Sequence, residues 1–131
     1  MWLDIDPRSS IPMYVQLVQG VKEEVARGLL QPGDRMPTVR ELASLLMINP
    51  NTIAKAYQRL EQEGIIETMR SRGTFVAAGS VHLSTEQGRK RLTELIHAML
   101  IEAYYLGISN EELQSLFIDS LQEWENRKGR Q

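Results

Sequence analysis

Along residues 12–62 the apolar positions recur at helical spacing in three separate stretches. In the first, Leu17, Val18, Val21 and Val25 share a face and predict a helix over residues 12–27. Pro12 suits its first turn because proline has no N–H to leave unsatisfied, and Gly28 ends it. Gln31-Pro32-Gly33-Asp34 then reads as a turn, since proline presets φ and glycine permits a positive one. In the second stretch Val39, Leu42, Ala43 and Leu46 line one side. Thr38 caps this helix, and Glu41 reaches back to the cap's own N–H. The third opens on Asn49, a good cap, followed by Pro50, the favoured first residue. Ile53, Ala56, Tyr57 and Leu60 predict its buried face, and Asn51, Thr52, Lys55, Gln58, Arg59 and Gln62 fall opposite. Gly64 terminates it.

After Gly64 the pattern changes. Residues 65–69 and 74–76 mix β-branched and apolar side chains around Arg70-Ser71-Arg72-Gly73, which predicts a hairpin. Helical spacing then returns. Leu92, Leu95, Ile96, Met99, Leu100 and Ala103 line one helix, begun near Ser84 with Gln87 and stopped at Gly107. Leu113, Leu116, Phe117, Leu121 and Trp124 line a second, capped by Ser109 with Glu112. All five prolines lie in the first half, and the composition shifts at residues 77–80. The chain therefore divides into residues 1–78 and residues 79–131. The predicted fold is mainly α with a small β-hairpin: an N-terminal winged helix-turn-helix followed by a C-terminal two-helix segment.

The 131 residues are 42% apolar and 24% charged, the balance of an ordinary globular chain. The absence of cysteine excludes disulfides, thiolate metal sites and a cysteine nucleophile, and fits a reducing cytoplasm. The first residues are acidic and lack the apolar stretch of a signal peptide, and no apolar run is long enough to span a membrane. A cytoplasmic location is expected. The net charge is −2, so a nucleic-acid role has to rest on where the charges sit.

They sit favourably. A major groove admits one helix, which reads base edges from its N-terminal residues. Asn51 and Thr52 occupy that first turn; asparagine pairs bidentately with adenine, and threonine offers a hydroxyl and a methyl. Lys55 and Arg59 follow one and two turns later, with no acidic residue between Asn49 and Gln58. Arg70 and Arg72 add charge at the hairpin tip, although residues 1–79 sum to zero.

Three ordered blocks carry a more specific likeness. They are residues 30–43, which contain Pro32-Gly33-Asp34-Arg35-Met36-Pro37-Thr38-Val39-Arg40-Glu41-Leu42; residues 49–57, Asn49-Pro50-Asn51-Thr52-Ile53-Ala54-Lys55-Ala56-Tyr57; and Arg72-Gly73-Thr74-Phe75-Val76. Together with Ile11-Pro12-Met13-Tyr14 they resemble the GntR family of bacterial transcription regulators over about residues 3–77, and the tail resembles its short-tailed, YtrA-type branch. The resemblance implies a homodimeric repressor on a pseudo-palindromic operator of double-stranded DNA, with regulators of neighbouring transport genes among its relatives. It implies that Arg40 contacts a base, that Thr38, Asn49, Asn51 and Thr52 touch bases or phosphates, and that Gly73 beside Arg72 is the wing tip. It also implies a small extra strand at residues 2–5 pairing with the wing, and dimerisation through the tail helices. No cofactor is implied. A large effector domain has no counterpart, and an effector of unknown identity stays open.

Each residue also has an ordinary reading. Arg40 is equally a solvated side chain paired with Glu23, Glu24 or Glu41, and Arg59 an i, i+4 partner of Glu63. Asn49 is first a cap, Tyr57 core, and Arg70 and Arg72 a soluble hairpin tip. Glu94 and His97 have a spacing used in metal-binding bundles, but one copy with a distant His82 does not make a site. No catalytic constellation stands out, so an enzyme is not expected. One helix pair cannot bury both tail faces, which calls for packing on the first helix and on a second copy. The alternative to a DNA-binding regulator is a winged-helix module that uses the same face for an acidic protein.

Overall fold

In the computed structural model, which describes residues 3–78 and 85–128, the first stretch forms α1 (Met13–Ala26). Pro12 stands just outside it as the N-cap, and its carbonyl accepts from the N–H groups of Val15 and Gln16 at 3.0 and 3.1 Å. The second stretch forms α2 (Val39–Leu46) with the expected capping box: Glu41 N–H donates to Thr38 Oγ1, and Thr38 N–H to Glu41 Oε1, both at 3.0 Å. The third forms α3 (Pro50–Gln62), where Asn49 Oδ1 accepts from Asn51 N–H at 2.8 Å. Met47, between α2 and α3, takes a left-handed conformation (φ 57°), which reverses the chain within the short turn.

The hairpin is β1 (Ile66–Met69) against antiparallel β2 (Gly73–Val76), with Glu67 opposite Phe75 and Met69 opposite Gly73. Each strand differs from its expected bounds by one residue. The added strand is the larger departure. Residues 3–5 have no regular secondary structure, and residue 2 lies outside the described residues. The free edge of β2 is instead taken by residues 33–36. Gly33 N–H donates to the Val76 carbonyl (2.9 Å), Val76 N–H to Asp34 (2.8 Å) and Met36 N–H to Thr74 (2.8 Å), with Arg35 bridged to Phe75. The Pro32-Gly33 turn delivers these backbone groups to the edge, while Leu3 is drawn into the core. Leu3 also packs closely on α1: a Cβ at Gly20 would stand 2.6 Å from Leu3 Cδ2, and the leucine side chain would have to shift.

The chain forms two compact units, Met1–Val81 and His82–Gln131. The first has one core, made by Leu17, Val18 and Val21 of α1, Leu42 and Ala43 of α2, Ile53, Ala56, Tyr57 and Leu60 of α3, and Leu3, Met36, Ile66 and Val76. Its members on α3 are the face read from the sequence. Full burial of each large apolar side chain contributes about 1.5–3 kcal/mol.

The second unit is α4 (Thr85–Tyr105) and α5 (Asn110–Lys128). Ser109 Oγ accepts from Glu112 N–H at 3.2 Å as expected; Ser84 and His82 lie outside the described residues. This pair has almost no interior. Ala103 is its one buried hydrophobic among the described residues. Leu92, Leu95, Ile96, Met99, Leu100, Leu116, Phe117 and Leu121 are exposed, and Leu113 and Trp124 half-buried. A groove of about 300 Å3 lies between the helices, lined by Ile96, Met99, Leu113, Gln114, Phe117 and Ile118.

Candidate nucleic-acid interface

Two helix N-termini carry the residues singled out in the sequence. On α3 the Asn49 side-chain oxygen is spent on the cap, which leaves its amide nitrogen as a donor. Asn51 is exposed and Thr52 half-buried. On α2 the Thr38 oxygen accepts the cap bond, and its hydroxyl proton stays available. Tyr57 links the two helices. Its buried phenol donates to the Pro37 carbonyl at 2.7 Å, which ties α3 to the residue before the α2 cap. Burial, and secondarily the Glu41 charge, push the Tyr57 pKa well up, so the phenol keeps the proton it donates.

Arg40 is exposed and has no ion pair or hydrogen bond among the described residues. Of its ordinary partners, Glu23 bonds Arg27 at 3.0 Å and Glu41 bonds Thr38, while Glu24 forms no ion pair with it. The Thr38 bonds, first from the backbone and then from the side chain, hold the Glu41 carboxyl below its usual range. A guanidinium fixed at a helix start with no internal anion is available for an external one, or for guanine O6 and N7.

Lys55 and Arg59 are exposed but not idle. The Lys55 ammonium stands 4.0 Å from the centroid of the Tyr14 ring. Arg59 Nε donates to Glu63 Oε2 at 2.9 Å, the pairing the ordinary reading foresaw, and Lys22 Nζ reaches Glu63 Oε1 at 2.8 Å. The Lys22 hydrogen bond is the main reason that the Glu63 carboxyl titrates below the usual range; partial burial opposes it and Arg59 adds to it. A depressed carboxyl stabilises above its unfolded pKa, about 4.3, and that contribution is lost as pH falls through the folded value. Glu63→Gln is therefore expected to lower stability at pH 7, by up to about 1 kcal/mol for each exposed bridge lost. Denaturant titrations should show the gap to the parent closing at acid pH. A gap that does not change with pH would show that the charge is not its source.

At the hairpin, Arg70 and Arg72 are exposed, and Arg72 N–H closes the turn on the Met69 carbonyl at 3.0 Å. Gly73 has φ +115°, where a side chain would be strained. Beside it lies a residue that sequence reasoning missed. Arg35 Nε would be 3.7 Å from a Cβ at Gly73, so the exposed guanidinium lies against the wing. Its charge also lowers the Glu41 pKa, which places it near the start of α2. A signal existed: in residues 33–36 the alternation that buries Met36 turns Arg35 outward. Among the described residues no group of three His, Asp or Glu side chains is arranged to hold a metal ion.

Three helices, the second and third joined by a tight turn, with a hairpin wing along one edge, define a winged helix-turn-helix domain, a DNA-binding class. Residues 13–76 match the family described as bacterial regulatory proteins, gntR family. Over 111 residues the chain is 44% identical to the HTH-type transcriptional repressor YtrA of Bacillus subtilis, covering 85% of each chain. Its fold matches a transcriptional antiterminator from Listeria monocytogenes with TM-score 0.82 and 35% identity, over 95% of this chain and 92% of that one. It also matches the AraR DNA-binding domain solved with operator ORX1, with TM-score 0.52 and 28% identity, over 59% of this chain and 99% of that one. The chain belongs to the GntR family of transcriptional regulators, in its YtrA-type branch. The curated relatives it matches are named as transcriptional regulators. Among the described residues no helix is long and apolar enough to cross a membrane.

Proposed function

We propose that this regulator is a cytoplasmic repressor that acts as a homodimer on a pseudo-palindromic operator. The start of α3 enters the major groove of each half-site, with Asn51, Thr52 and Arg40 specifying sequence. Thr38 and Asn49 add base or phosphate contacts. Lys55, Arg59, Arg70 and Arg72 supply affinity through the backbone, with Gly73 at the wing tip, and Arg35 joins them. The observation that carries the reading is the Arg40 guanidinium, exposed and unpaired among the described residues at the start of α2, beside a capped α3 whose first turn presents Asn51 and Thr52. The relative named a repressor and the operator-bound AraR domain support it.

The exposed apolar faces of α4 and α5 support the dimer, which buries them against a second copy and sets two recognition helices on half-sites about one DNA turn apart. Transport genes as targets rest on the branch resemblance alone. The test is selection of bound sequences from a random duplex pool, followed by mobility-shift titration against salt. An inverted repeat should emerge, and affinity should fall steeply as salt rises. Failure to retain any duplex at low salt would leave the acidic-protein alternative.

A further inference from the structure

The seam between α1 and α3 holds an arrangement that helix periodicity does not describe. Tyr14, in the first turn of α1, is half-buried, and its ring seats the Lys55 ammonium. The two border a cleft of about 180 Å3, whose other lining residues are Gln58, Arg59 and Gln62. No carboxylate lines it. The nearby Glu63 divides its charge between Lys22 and Arg59. Arg59 uses only Nε in that bond, so its terminal nitrogens keep their protons for another acceptor. Lys55 has a ring beneath it and no anion among the described residues. The Tyr14 hydroxyl makes no hydrogen bond among them either.

The geometry points to a seat for a phosphoryl oxyanion, and we propose that its occupant is a backbone phosphodiester of the bound duplex, with Tyr14 as the positioning residue. The inference rests on the DNA reading above. An oxyanion accepts hydrogen bonds and cannot donate them, and this cleft offers ammonium, guanidinium and amide donors from Lys55, Arg59, Gln58 and Gln62. The ring holds the ammonium through its quadrupole, 4.0 Å from the centroid. It thereby removes part of the ordering cost that a free lysine meets when it engages a phosphate. A duplex delivers that phosphate already anchored by the base contacts of the same helix, whereas a free anion has to compete with water in an open cleft.

The experiment measures duplex affinity against salt for the full chain and for Lys55→Ala, Tyr14→Phe, Tyr14→Leu and the Tyr14→Leu/Lys55→Ala double variant. Lys55→Ala should weaken operator and random duplexes by a similar factor and reduce the salt slope by about one. Tyr14→Phe keeps the ring and should stay within about twofold of the parent. Tyr14→Leu keeps apolar volume and should lose affinity and slope in the same direction as Lys55→Ala, and the double variant should be no worse than Lys55→Ala alone. Thermal melts check that each variant is folded. A methylphosphonate placed at successive backbone positions should find one position whose neutralisation weakens the parent but not Lys55→Ala. A Tyr14→Leu protein with the parental slope, additive losses in the double variant, or competition by millimolar inorganic phosphate would each overturn the proposal. A parent that binds no duplex would overturn the DNA reading itself, a separate result.

Discussion

Phe117→Glu should convert a dimer into a monomer at micromolar concentration and cost operator affinity about a hundredfold or more. Phe117 is 52% exposed and lines the groove between α4 and α5. Among its described residues the helical unit buries only Ala103, so a second copy is what covers these side chains in the proposed assembly. Two-fold symmetry places any substitution in the interface twice. A glutamate there sets a carboxylate against apolar side chains with no partner, a burial that proteins avoid. Once the dimer separates, the second half-site no longer binds as an intramolecular event, a coupling commonly worth about 10²–10⁴ in affinity. Sedimentation reads the assembly and mobility shift reads the operator. The first unit keeps its own core, so the variant should retain weak, salt-sensitive binding to a single half-site. A parent chain that sediments as a monomer with and without DNA would end the dimer proposal.

Arg40→Ala should cost about 1–3 kcal/mol on the selected operator and relax the preference at one position in each half-site. Nothing inside the protein depends on this guanidinium, because it has no internal ion pair or hydrogen bond among the described residues. Stability should therefore be close to the parent, which separates a lost contact from a lost fold. Random duplex should bind nearly as before. An equal loss on operator and random DNA would assign Arg40 to the backbone instead of to a base.

Local chemistry explains how much was legible in advance. The capping box at Thr38 and Glu41, the Asn49 cap, the Pro50 start and the buried face of α3 all follow from interactions within four residues along the chain. The pairing of Arg59 with Glu63 was legible for the same reason. Where partners lie far apart in sequence, the reading fell short. Residues 2–5 were expected to pair with the wing, and the edge went to residues 33–36. Strand propensity cannot decide between two short segments competing for one edge; the turn at Pro32-Gly33 and the burial of Leu3 and Met36 decide it. Tyr14 and Arg35 stand in the sequence only inside blocks of family likeness, with no role attached to either.

From its residues alone the chain dictated its helices, the caps at Thr38, Asn49 and Ser109, a hairpin, and the surplus of apolar surface on the last two helices, since each is written in spacing and in side-chain chemistry at short range. Tertiary structure decided which cations are occupied. Lys22 joins Arg59 on Glu63, Lys55 rests on Tyr14 from 41 positions earlier, Arg35 leans on Gly73, and Arg40 has no partner among the described residues. The availability of a charge depends on what surrounds it in space, and packing of segments distant in the chain sets those surroundings.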